Sequence, residues 1–137
     1  GVTTLAAFLT GASNNAAHPA NGLAALFMAT GQDMANIGEA NQCSVYSYIT
    51  KTGDLKYSIT LPALIMASYG GGTSLATQRE CLELMDCYGK DKAYKLIEIA
   101  AAVVMAGELS LTSAARTDKE TGDNEWVTAH EKLGRNR

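Results

Sequence analysis

Residues 43–61 read CSVYSYITKTGDLKYSITL. Cys43–Thr50 and Leu55–Leu61 are rich in Val, Tyr, Ile and Thr, the residues that suit a pleated, half-buried surface, so each is predicted to be a strand. Lys51-Thr52-Gly53-Asp54 lies between them and has the composition of a hairpin turn. Pro62 ends the second strand. Helical patterns stand on both sides of this hairpin. Before it, Pro19 opens a helix carrying Leu23, Leu26 and Phe27, which runs to Thr30 and stops at Gly31. A second short helix is predicted over Met34–Glu39. After the hairpin, Thr77-Gln78-Arg79-Glu80 has the form of a capping box and opens a helix predicted to reach Tyr88, with Gly89 closing it. Lys90–Ala115 carries the strongest helical signal: Ala93, Leu96, Ile97, Ala100, Val103, Val104, Gly107 and Leu111 recur at helical spacing. Helices, one hairpin, then helices is an α+β order, with helices packed on one face of a small antiparallel sheet.

The 137 residues suit one ordinary domain or a large piece of one. Hydrophobic residues make up 47% and charged residues 18%, enough for a packed core. A net charge of -3 argues against general nucleic-acid binding, which needs a basic face. Cys43, Cys81 and Cys87 form no C-x-x-C pair, so no zinc pattern is present, and an odd count without a framework fits a reducing compartment. The longest apolar stretches are broken by Thr, Gly and Asn, and no membrane span is expected. Val2–Leu9 is short, apolar and preceded by no basic residue, which does not fit a signal peptide. The chain opens on Gly1, enters that apolar run at once, and so reads as a piece cut from a larger fold. Gly1–Asn15 is expected to be loosely helical or looping. Thr117–Glu125 is expected to be an exposed loop, Trp126–Leu133 a last short helix, and Gly134–Arg137 a tail.

A few side chains stand out chemically. Asp33 follows a helix end, where the last carbonyls carry partial negative charge; a carboxylate there is disfavoured as an anion, which suits a residue that must hold and donate a proton. The plainer alternative is a turn aspartate bonded to its own backbone. His130 suits a proton donor to a leaving thiolate, the alternative being a surface histidine on a terminal helix. His18 and Asn21 sit three apart on the first turn of a helix, where they can reach a ligand, or simply cap the helix. Gly70-Gly71-Gly72-Thr73 is expected to be a flexible loop whose backbone can approach an anion or a flat ring, and equally reads as a plain turn. It is neither a Walker A loop nor G-x-G-x-x-G. Glu108 lies in the apolar stretch Met105–Leu111. A buried carboxylate is costly without partners, so it either caps another element or sits on the exposed edge. Gly107 and the alanines at 100–102 allow close helix packing.

In order, His18-Pro19-Ala20-Asn21, Gly31-Gln32-Asp33, Gly70-Gly71-Gly72-Thr73, Met105-Ala106-Gly107-Glu108-Leu109-Ser110-Leu111 and Ala129-His130 resemble the 3-hydroxy-3-methylglutaryl-coenzyme A (HMG-CoA) reductase family. The resemblance covers essentially the whole chain. It implies that residues 1–137 are the C-terminal part of the catalytic, substrate-binding domain, without the inserted cofactor-binding domain. It implies reduction of HMG-CoA to mevalonate and coenzyme A with two NADPH (or NADH), in isoprenoid biosynthesis. Asp33 then corresponds to the catalytic aspartate and His130 to the histidine that protonates the departing thiolate. Asn21 contacts the HMG moiety with His18 nearby, and Gly70–Thr73 borders the nicotinamide. The family's catalytic glutamate and lysine lie earlier in the full chain, so this part alone is expected to be inactive. A homodimer or higher oligomer is expected, with HMG-CoA or coenzyme A as partner, no nucleic acid, and a cytoplasmic location, any membrane anchor lying in an N-terminal part. The sequence departs from the family in three places. Residues 117–125 lengthen the stretch before His130, Ala16 stands where many members carry Asn, and Ala129 stands where some carry Ser. The alternative reading is a degenerate member that binds coenzyme A, or pairs with an active subunit, without catalysis. A further rival is an unrelated helical interaction domain, which predicts no convergence of His130 and Asp33.

Overall fold

A computed structural model describes Leu9, residues 14–115, Glu125 and Thr128. Helix α1 (Pro19–Thr30) is followed by a 3-10 turn (Met34–Asn36) and a single turn of helix, α2 (Ile37–Ala40). Strands β1 (Ser44–Ile49) and β2 (Leu55–Thr60) form the hairpin. A second 3-10 turn (Gly71–Ser74), helix α3 (Ala76–Leu84) and the long helix α4 (Ala93–Ala114) complete the described chain. The α+β reading holds: helices accompany one two-stranded antiparallel sheet.

Pro19 fixes its own φ and lacks an N–H that a first helical turn would leave unpaired, so α1 starts there. Gly31 ends it in the left-handed region at φ 69, with its N–H on the Phe27 carbonyl. In the hairpin, Val45 pairs with Ile59 and Ser47 with Tyr57. Val45, Tyr57 and Ile59 are half-buried on one face, while Tyr46 and Tyr48 lie exposed on the other with ring centroids 5.7 Å apart. The edge of β1 is partly satisfied by a side chain: Asn15 Nδ2 donates to the Val45 carbonyl at 2.9 Å, and Val45 N–H donates to Asn15 Oδ1 at 2.7 Å.

The core is built where α3 and α4 each pack against α1. Leu23 and Phe27 of α1, Leu82 of α3, and Leu96, Ala100 and Val104 of α4 are fully buried. The buried positions of α4 recur every four residues and end on Glu108, which is 5% exposed. By length and apolar composition α4 is able to cross a bilayer; its buried residues Leu96, Ala100 and Val104 join the core.

Several expected boundaries are corrected. The capping box does not form: α3 starts at Ala76 on Leu75, without a side-chain cap. Its C-terminus falls at Leu84 rather than Tyr88, because Asp86 turns to φ 52 and Cys87 N–H closes back on the Leu82 carbonyl at 2.7 Å. Helix α4 begins three residues after Lys90, past Asp91 at φ 65. The strands are each trimmed to six residues. The expected helix Trp126–Leu133 lies outside the described residues except for Thr128, and the expected 1–15 segment does so except for Leu9, Asn14 and Asn15.

Candidate active site

Two chemically distinct places lie at opposite ends of α1. At its start, the side chain of Glu108 reaches across from α4. Its Oε1 accepts the Ala17 N–H at 2.6 Å and also the His18 N–H. The N-terminus of a helix carries orphan donors and partial positive charge, so a carboxylate there is favoured. Glu108 is therefore a cap supplied from another helix, one of the two roles open to it in the sequence. His18 provides no side-chain cap. Its imidazole fits between Gly22 and Gly107, and a Cβ at Gly107 would overlap the ring. Nδ1 of His18 is buried with no hydrogen-bond partner. Asn21, on the same first turn, is exposed.

The charge of Glu108 reaches the hairpin. Burial first, and then that charge, push the Cys43 thiol up from its ordinary value. The Tyr57 hydroxyl is raised in the same order of causes, partly offset by a hydrogen bond with Thr112.

At the other end, Gly31-Gln32-Asp33 turns the chain against the glycine segment. A cleft of about 320 Å³ opens there, lined by Gln32, Asp33, Asn36, Ile65–Ala67 and Tyr69–Gly72. Asp33 is exposed, and its Oδ1 accepts the Ala35 N–H at 3.0 Å. The carboxylate caps the N-terminal end of the 3-10 turn. The turn reading of Asp33 is realised, and its place in the cleft comes with it.

The glycine segment is a 3-10 turn rather than a loose loop. Gly70 and Gly71 have φ of 85 and 54, and nothing lies within 4 Å of where their Cβ atoms would be, so their backbone is bare towards the cleft. Gly72 is different: a Cβ there would stand 2.7 Å from the Gly31 carbonyl oxygen, and a Cβ on Gly31 would overlap the Gly72 carbonyl. The two loops thus touch backbone to backbone. Thr73 is buried, its Oγ1 donating to the Gly70 carbonyl at 2.6 Å; it holds the turn and is outside the cleft lining. Bare glycine backbone, Asp33 and the exposed Tyr69 and Ile65 line this one cleft, which leaves room for an anion or a flat ring. The volume takes such a ring and not a whole dinucleotide.

The family model for hydroxymethylglutaryl-coenzyme A reductase matches residues 2–135. The chain belongs to the HMG-CoA reductase family. It is 44% identical over 119 residues to the 3-hydroxy-3-methylglutaryl-coenzyme A reductase of Methanocaldococcus jannaschii, covering 87% of this chain and 28% of that protein. The enzyme of the same name from Pyrococcus horikoshii is 42% identical over 124 residues, 87% of this chain and 29% of its own. That of Drosophila melanogaster is 42% identical over 108 residues, 73% of this chain and 12% of its own. The chain spans under a third of the length of these relatives.

Of the residues expected to form a reductase site, the cleft brings together Asp33 and Gly70–Gly72. His18 and Asn21 lie away from it: the twelve residues of α1 place its two ends about 18 Å apart. His130 lies outside the described residues. Two participants escaped the sequence reading. Gln32 was visible only as the middle of a motif. Glu108 was visible as a lone charge in an apolar helix, but its partner was not.

Proposed function

We propose that the intact protein reduces HMG-CoA to mevalonate and coenzyme A, taking two hydrides from two NADPH (or NADH), and that residues 1–137 form the C-terminal part of its substrate-binding domain. The observation that carries this reading is the cleft lined by both Asp33 and the bare backbone of Gly70 and Gly71, in a chain of this family.

The nicotinamide, when bound, supplies hydride to the substrate carbonyl. Negative charge then builds on the carbonyl oxygen and must meet a positioned proton or donor. Asp33 serves there, as part of a network completed by a glutamate and a lysine from the rest of the protein. Carbon–sulfur cleavage releases the thiolate of coenzyme A, and a proton from His130 makes it a better leaving group. The aldehyde left behind accepts the second hydride and one proton to give the alcohol. Gly70–Gly72 border the nicotinamide, while Thr73 braces them from beneath. Asn21 donates to the HMG moiety, and His18 is held at its side by Glu108 and the two glycines.

The separation of the Asn21 end from the Asp33 end favours a site completed by a second copy of the chain, in a homodimer or a larger homo-oligomer. The location proposed is cytoplasmic, with α4 as a core helix. The test uses the intact protein: oxidation of the reduced cofactor on adding HMG-CoA, in wild type and Asp33→Asn. Loss of at least a hundredfold in kcat is expected, on the order of what a general acid contributes. Full activity in Asp33→Asn would remove Asp33 from the chemistry. A wild-type protein that binds coenzyme A but oxidises no cofactor would establish the non-catalytic alternative.

A further inference from the structure

We propose that Gln32 is a positioning residue that sets the width of the cleft, fixing Asp33 against the wall that receives the nicotinamide. This rests on the reading of Asp33 and the glycine turn given above.

The side-chain amide of Gln32 is used at both ends by one residue. Nε2 donates to the Ala67 carbonyl at 2.8 Å, and Oε1 accepts the Ala67 N–H at 2.6 Å. Such a two-way pair is what a neighbouring strand would offer, and here one side chain supplies it across 35 residues of sequence. Nε2 also reaches the Thr30 carbonyl at 3.2 Å. The main chain of Gln32 is fixed as well, its N–H bonded to the carbonyl of the fully buried Phe27 at 2.9 Å.

Ala67 is no loose partner. It lies in the cleft wall between the buried Met66 and Ser68, and Ser68 is tied to Gly89 by Oγ at 2.8 Å and by its carbonyl at 2.8 Å. One side of the cleft is therefore anchored to the end of α1 and the other to the segment after α3. The Gly31–Gly72 contact closes the gap at one point, and the Gln32 amide spans it at another. Asp33 is the next residue in the chain, so its carboxylate moves with that amide.

An amide has no proton to give at neutral pH, so its contribution is geometric. Glutamate at this position keeps the shape but not the donor. Its carboxylate would face the Ala67 carbonyl, and the pair would open.

The experiment uses the intact enzyme with Gln32→Glu and Gln32→Ala, alongside Asp33→Asn. Binding of the reduced nicotinamide dinucleotide is measured without substrate, by fluorescence titration. Steady-state kinetics and a thermal midpoint are taken on the same samples. Both Gln32 variants are expected to weaken dinucleotide binding about tenfold and to lower kcat by about tenfold or more, as losing one well-made polar pair allows. The KM for HMG-CoA is expected to stay within about twofold. The glutamate variant, being isosteric, carries the comparison where the alanine variant fails to fold. A folded variant with wild-type dinucleotide affinity overturns the proposal, whether kcat is unchanged or reduced, since a purely structural amide would change only the amount of active protein. Silent Gln32 variants beside an inactive Asp33→Asn would sink this inference alone. An active Asp33→Asn would sink the functional reading beneath it.

Discussion

Replacing Glu108 by alanine strips the start of α1 of its only described side-chain cap. Two N–H donors, of Ala17 and His18, lose the single oxygen they share. Ala17 is exposed and His18 half-buried, but a hydrogen bond to a charged group is worth about 1.5–3 kcal/mol, and two are lost here. Relief from burying a carboxylate offsets part of that cost. A net loss of about 3 kcal/mol in the local stability of α1 follows from these terms. Glutamine keeps an acceptor at the same place and forfeits only the charge, for about 1 kcal/mol. Amide hydrogen exchange in the intact protein, read on peptides covering residues 15–31, measures this opening directly. Exchange is expected to speed up about a hundredfold in Glu108→Ala and about fivefold in Glu108→Gln, at 1.4 kcal/mol per decade. Equal rates in the two variants, or an α1 that exchanges as in wild type, would show that the carboxylate does not hold this helix.

Two further outcomes follow from the same structure. Gly107→Ala should normally stabilise a helix interior by about 0.5–1 kcal/mol, but here the new methyl meets the His18 ring, so a loss of about 1–3 kcal/mol is expected. Adding His18→Ala should recover most of it, and a double-mutant cycle by thermal denaturation reads the coupling. Lys92 and Lys95, through hydrogen bonds and their charges, hold the Asp86 carboxyl below its ordinary value of 3.8. The stabilisation they give is present above that value and disappears as the pH falls through the lowered one. Asp86→Asn, which suits the positive φ at this position, should therefore destabilise the protein slightly at pH 7, less in high salt, and progressively less as the pH falls into the acid range. A difference that persists in acid would refute the ion-pair account.

Much of the fold was legible because its signals are local. Pro19 and Gly31 bracket α1, the Val, Tyr and Ile runs flank a Gly-Asp turn, and α4 repeats its apolar positions at helical spacing. The capping box failed for a physical reason. The preceding turn delivers Leu75 in extended geometry with its N–H on the Gly72 carbonyl, so the helix begins before Thr77 can act as its cap. Asp86 and Asp91 adopt conformations that favour glycine or asparagine, and no local rule anticipates them there. The site was less legible because its bonds are long-range. Glu108 meets the start of α1 across 90 residues, and Gln32 meets Ala67 across 35. Residue types singled out Asp33 and the glycine run as candidates. Only the packed chain reveals that Asp33 caps a turn, that Thr73 points inward, and that His18 is wedged between two glycines.

The contact between Gly31 and Gly72 also limits how this protein can be re-engineered. No residue with a side chain fits at either position without prying the two loops apart, so this contact offers no handle for a designer. Substitutions meant to reshape the cleft belong at Ile65, Tyr69 and Asn36, which line it without taking part in that contact.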